Sequence, residues 1–343
     1  MNRRSTLKAL AIGTALGLAS SIPLSGASAG EVGEVEVVYS FDAAAEELPE
    51  GIAIGAGGEM LITMGYPGFF KPGDGWIKRI EPDGTKTTLA TFVDGQGPAG
   101  IITDAAGETY FARANPGDPD SRGVYRLHDD GSSERLAGTE VMLAPNGLTF
   151  DGRGGLLVGD SLQGTIWRVP LDDSGIVEPW SSEQELLGGC GGEADFGVNG
   201  VAIHEDVVYA AVTSRGLLVS IPVQEDGSAG SATIVAGDNT NGCEPDDLFG
   251  MDGIALAADG SVYALLVLQN RLVRIDTTDG SVETLLTEAD GLHNASSLAF
   301  GTQDGDQQTL YMVNYAVLEP VPEESVGPAV LKLDVGVDGI PLF

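Results

Sequence analysis

The sequence predicts an all-β chain folded as a six-bladed propeller. Three observations carry that expectation. After the first thirty residues the chain consists of short apolar-alternating runs broken by Gly, Asp and Asn, which is strand-and-turn chemistry. No long helical periodicity interrupts them. A short motif also returns six times at roughly the length of one four-stranded blade.

The motif reads Pro49-Glu50-Gly51-Ile52-Ala53, then Pro98-Ala99-Gly100-Ile101-Ile102, then Pro145-Asn146-Gly147-Leu148-Thr149. It continues as Val198-Asn199-Gly200-Val201-Ala202, Met251-Asp252-Gly253-Ile254-Ala255 and the weaker Ala295-Ser296-Ser297-Leu298-Ala299. The second residue falls at positions 50, 99, 146, 199, 252 and 296, so the intervals are 49, 47, 53, 53 and 44.

The first unit predicts an inner strand over 51–54, a turn at 55–58, a second strand over 60–64, a third over 76–81 and an outer strand over 87–92. An Asp83-Gly84 turn joins the last two. Asp-Gly pairs suit tight hairpins, and they recur at Asp130-Gly131, Asp226-Gly227, Asp259-Gly260 and Asp279-Gly280. Both hairpins of a blade lie on one face. The opposite face receives the long connections 65–75, 113–123, 188–197, 237–250 and 314–327. Long loops gathered on one face of a rigid scaffold mark that face for binding. The last unit has strands over 298–300, 310–313 and 329–335 but no outer strand, so the run 34–41 is expected to complete it and remove the open edge.

The chain begins with Arg3-Arg4 and Lys8, an apolar stretch, and Ala27-Ser28-Ala29, the pattern of an export signal over residues 1–29. The paired arginines suggest the twin-arginine route. Residues 30–343 are then one propeller domain, secreted, with no membrane anchor. The signal holds three of the 17 basic residues and none of the 51 acidic ones. Such a surface repels nucleic acid and anionic membranes. Its acids are scattered rather than gathered in a tail, which suits a halophilic source where salt screens self-repulsion; a merely acidic exported protein is the alternative.

The second motif residue opens each inner strand beside the central axis, on the long-loop face. The six positions read Glu50, Ala99, Asn146, Asn199, Asp252 and Ser296. Two carboxylates and two carboxamides on a narrow axis, with no Lys or Arg among them, call for a cation. All-oxygen donors fit one divalent ion, Ca²⁺ best, with Mg²⁺ or Mn²⁺ as alternatives. The competing reading is that these groups are hydrated or cap neighbouring backbone.

These segments, with Gly159-Asp160-Ser161 downstream of the third, resemble the senescence marker protein / gluconolactonase / luciferin-regenerating enzyme family from about Leu48 to Tyr315. The resemblance implies Glu50, Asn199 and Asp252 as metal ligands, Asn146 beside metal and substrate, and Asp252 as catalytic base in lactone opening. It departs from the family in two places. Ala144 stands where sugar-lactone members carry Arg, and the first blade lacks the usual Glu-x-Pro-x-Trp. A small-molecule lactone or ester is therefore the expected substrate, with gluconolactone itself disfavoured. A non-catalytic binding propeller with a structural metal, and a strictosidine-synthase-like enzyme, are the alternatives.

Several other residues carry two readings. His293, three before Ser296, is a candidate proton shuttle or, in the favoured reading, a surface loop residue. Cys190 and Cys243 each stand nine residues before a ring position, on adjacent blades, and are expected to form a disulfide. Tyr66, Phe69, Phe70 and Trp76 would line an apolar substrate wall or pack on the blade rim. Asp160 would line the pocket or accept backbone hydrogen bonds.

Overall fold

The aliphatic and β-branched runs pair as antiparallel strands because each buries both faces between neighbouring sheets. The computed structural model describes residues 33–65, 74–93, 95, 97–172, 174–191, 195–238, 247–317 and 326–340. It contains six four-stranded antiparallel sheets, five of them made of four consecutive strands. The predicted strands form within a few residues of their expected limits. In the first blade they are Pro49–Ile54, Met60–Gly65, Gly75–Ile80 and Lys86–Phe92. The export signal over 1–29 lies outside the described residues.

Tight turns are built as the Asp-Gly pairs required. Gly84, Gly131, Gly227, Gly260 and Gly280 have φ between +74° and +85°, a region open to glycine at little cost. The preceding Asp83, Asp130, Asp226, Asp259 and Asp279 each accept the backbone N–H two residues on, at 2.9–3.0 Å.

The core lies between blades. Ile52 and Ile62 pack with Val313 and Val330. Leu157 and Ile166 pack with Val201, Val208 and Ile221, and Ala202 and Leu218 with Ile254 and Val262. Each sheet thus uses its neighbours to cover its faces, and the circle must close for any of them to be satisfied.

Closure follows the expected route. Glu36–Ser40 runs antiparallel to Ala329–Asp334, with Glu36 opposite Lys332 and Ser40 opposite Ala329. The segment leaving that strand carries Glu47, whose carboxylate pairs with Lys78, which is only 5% exposed, and with Lys86 at 3.2 Å. Burial alone would raise the Glu47 carboxyl, but Lys78, the Asp42 backbone N–H and Lys86 together outweigh it and hold it below its usual range. Four 3-10 turns that the sequence did not announce, Ala43–Ala45, Thr139–Val141, Gln184–Leu186 and Glu288–Asp290, lie in connections leading to inner strands. Among the described residues no helix is long and apolar enough to cross a membrane.

Candidate metal centre

Five of the six inner strands start with an irregularity that the repeat encodes. The pairing register shifts between Pro49 and Gly51, Pro145 and Leu148, Val198 and Val201, Met251 and Ile254, and Ala295 and Ser297. Glu50, Asn146, Asn199, Asp252 and Ser296 therefore stand in bulges, outside the ladder. All five line one axial cavity. In the second blade the ring position is Ala99, whose methyl is buried with Ala114 and Ala144.

The glycine after each ring residue brings the strands together. A Cβ on Gly51, Gly100, Gly147, Gly200 or Gly253 would collide with the carbonyl oxygen of Ala99, Asn146, Asn199, Asp252 or Ser296 on the next blade; the most generous case, Gly51, leaves 2.8 Å. None of these five glycines has positive φ. What each supplies is the missing side chain. At the sixth junction Ser297 replaces glycine, and the Ser296 hydroxyl donates to the Glu50 carbonyl at 2.7 Å. Below the ring, Ile52, Ile101, Leu148, Val201, Ile254 and Leu298 form an aliphatic collar lining the same cavity. The collar was readable in the sequence as the apolar residue two places after every ring position, and it was not singled out there.

Electrostatics in the ring are unfavourable without a partner. Glu50 is 7% exposed, and its Oε2 is buried with no hydrogen-bond partner among the described residues. Burial drives the Glu50 carboxyl well above its usual range, and the Asp252 charge pushes it further. Burial pushes Asp252 up to about 7, against a hydrogen bond with Asn199 that pulls it down. By surface area Asp252 is only partly buried, its remaining exposure being to the narrow cavity. No Lys or Arg lines that cavity.

Among the described residues no three His, Cys, Asp or Glu side chains converge. Glu50, Asp252 and Asn199 line the cavity together, and two carboxylates with a carboxamide would offer only oxygen donors there. An orphaned carboxylate oxygen beside a second carboxylate fits a hard divalent cation, and the absence of nitrogen or sulfur donors argues against a zinc site. The cavity holds about 50 Å³, space for an ion and a little water. Ligand pockets for organic molecules run to several hundred Å³, so a substrate would sit above the ring.

The other expected residues separate. His293 is not a surface residue. It is 3% exposed, its N–H is taken by Asn314 Oδ1 at 3.0 Å, and Nε2 has no partner among the described residues. It does not line the axial cavity. Asp160 resolves to the backbone anchor: fully buried, it accepts N–H groups from Leu143, Ala144, Leu162 and Gln163 at 2.7–3.2 Å. Trp76 packs on the rim with Phe41 and Ile80; Tyr66, Phe69 and Phe70 lie outside the described residues. Cys190 is disulfide-bonded, and Cys243, the only other cysteine of the chain, lies outside the described residues.

No protein-family model matches the chain, and no curated protein matches it by sequence. Solved structures do match. A luciferin-regenerating enzyme superposes with a TM-score of 0.64 at 14% identity, covering 90% of this chain and 97% of that one. A gluconolactonase from Xanthomonas campestris gives 0.61 at 16%, covering 92% and 97%. A calcium-binding regucalcin from Agrobacterium tumefaciens gives 0.61 at 14%, covering 88% and 94%. These are the kinds of protein that the motif residues resemble, and at such identities the likeness establishes the six-bladed fold.

Proposed function

We propose that this chain is a divalent-cation-dependent hydrolase of lactones or carboxylic esters, with Glu50, Asn199 and Asp252 as the ion's protein ligands. The observation that carries the reading is the buried Oε2 of Glu50, without a hydrogen-bond partner among the described residues, beside the Asp252 carboxylate in a cavity whose described lining has no basic side chain. Ca²⁺ suits the all-oxygen donors, with Mg²⁺ or Mn²⁺ as alternatives. A bound cation of this kind polarises a carbonyl and makes water more acidic.

The chain's own residues would do the rest. Asp252, lining the cavity, takes the proton of the attacking water. Asn146, on the neighbouring wall, donates from its amide to the substrate above the ring. The aliphatic collar keeps bulk water from reaching the carboxylates from below. The leader-like start of the chain and the Cys190 disulfide support an exported enzyme.

The test is hydrolysis of a panel of small lactones and aryl esters before and after chelation. Turnover lost to chelator, restored by calcium, and abolished in Asp252→Ala supports the reading. Full turnover in Asp252→Ala removes it. One observation favours a second reading, a binding propeller whose ion is structural: a buried Ala144 stands where the sugar-lactone members that the chain resembles carry Arg. That reading expects Asp252→Ala to lower the melting temperature in calcium while no panel member is turned over by either protein.

A further inference from the structure

We infer that Thr213 is a positioning residue: it decides which end of the Asn199 amide faces the axis, and so whether Asn199 can serve as a ligand at all. The inference rests on the ring being a cation site and extends it to a residue outside the cavity lining.

Thr213 follows the strand Val207–Val212 and is 5% exposed. Its Oγ1 lies 2.8 Å from the carbonyl oxygen of Met251 and 3.2 Å from Nδ2 of Asn199. A threonine hydroxyl has one proton. A carbonyl oxygen can only accept, so the proton goes to Met251, and the atom facing Thr213 from Asn199 must donate. That atom is the amide nitrogen.

Thr213 therefore demands the NH₂ end, and Oδ1 is left for the cavity that Asn199 lines. Asparagine can otherwise present either end at nearly equal cost. A ring needing an oxygen would be wrong half the time if nothing selected it. Thr213 also ties Asn199 to the backbone immediately before Asp252, so the two proposed ligands from adjacent blades are held by one hydroxyl. Groups that orient a ligand from behind in this way typically change metal affinity by about 10–100-fold when removed.

The experiment compares wild-type, Thr213→Val and Thr213→Ser proteins, each stripped with chelator and titrated calorimetrically with CaCl₂. Valine keeps the shape and removes the hydroxyl; serine keeps the hydroxyl. We expect T213V to weaken Ca²⁺ binding by about 10–100-fold and T213S to stay within about threefold of wild type. Should T213V not fold, Thr213→Ala removes the hydroxyl without a new methyl and is read in the same way. Unchanged Ca²⁺ affinity in the valine or alanine variant overturns the inference while leaving the metal site intact. So does equal weakening in T213S, because shape rather than the hydroxyl would then be what matters. A wild-type protein that binds neither Ca²⁺, Mg²⁺ nor Mn²⁺ overturns the site itself, and this inference with it.

Discussion

Replacing Asp252 by Asn should stabilise the chelated protein at alkaline pH, the reverse of what loss of a native charge usually does. Burial holds the Asp252 carboxyl at about 7, against 3.8 for a free one. The folded state therefore binds a proton that the unfolded chain has already lost. Stability contributed by this group is fully present below about pH 4 and declines as pH rises through 7. At about 1.4 kcal/mol per pH unit, the two units between pH 5 and 7 are worth about 2.7 kcal/mol as an upper bound. For a chain of this length 1 kcal/mol is worth about 1.5 °C, so the melting temperature of ion-free wild type should fall by roughly 4 °C between pH 5 and pH 8 on this account. Asp252→Asn should remove most of that fall. Adding Ca²⁺ at a hundredfold excess over its dissociation constant should return about 2.7 kcal/mol to wild type and little to the variant. Differential scanning calorimetry with EDTA, at pH 5 and pH 8, reads the comparison. If Asp252→Asn melts lower than wild type at pH 8 in EDTA, the crowding of charge in the ring has been misjudged.

Three further outcomes follow from the packing. Gly200→Ala puts a methyl against the Asp252 carbonyl and should cost about 1–3 kcal/mol by overpacking while weakening Ca²⁺ binding, measured by urea unfolding and calcium titration; a silent substitution would mean the blades are not in contact there. Glu47→Gln leaves the buried Lys78 ammonium without its countercharge and should cost about 3 kcal/mol at pH 7, with calcium affinity unchanged. Because the Glu47 carboxyl sits below its usual range, its contribution is present at neutral pH and disappears as pH drops through that lowered value, so wild type and variant should converge in acid. With 51 acidic residues against 17 basic ones, the unfolding midpoint should rise from 0.1 M to 2 M NaCl as repulsion is screened; a midpoint that falls would argue against a chain adapted to salt.

The fold was legible because its information is local and repeated. Asp-Gly turns and alternating strands announce themselves within a few residues, and six copies compensate for the weakness of any one. The missing outer strand of the last blade even pointed to 34–41 as its completion, and Glu36–Ser40 fills that place. The ring was legible for the same reason. What escaped depends on contacts between blades. Gly147 and Gly200 stand in the motif with no stated role in sequence, yet each admits a neighbour's carbonyl, which only the assembled circle supplies. His293 looked like an exposed loop residue because its cover, including Asn314, comes from 21 positions further along. Asp160 had two readings that residue type could not separate; four backbone N–H groups decided it. Thr213 carried no signal, since its meaning lies in one hydroxyl that joins Asn199 of its own blade to the Met251 carbonyl of the next.

The aliphatic collar narrows the axis beneath the ring. Ile52, Ile101, Leu148, Val201, Ile254 and Leu298 are each at most 7% exposed, so under the function proposed above a substrate entering from the loop side would leave by the same door. Arrival and departure would then compete for one mouth, and the loops around it would set the pace of both. The hairpin side would be free of that traffic, which makes it the place to add tags, surface charges or a tethering chain.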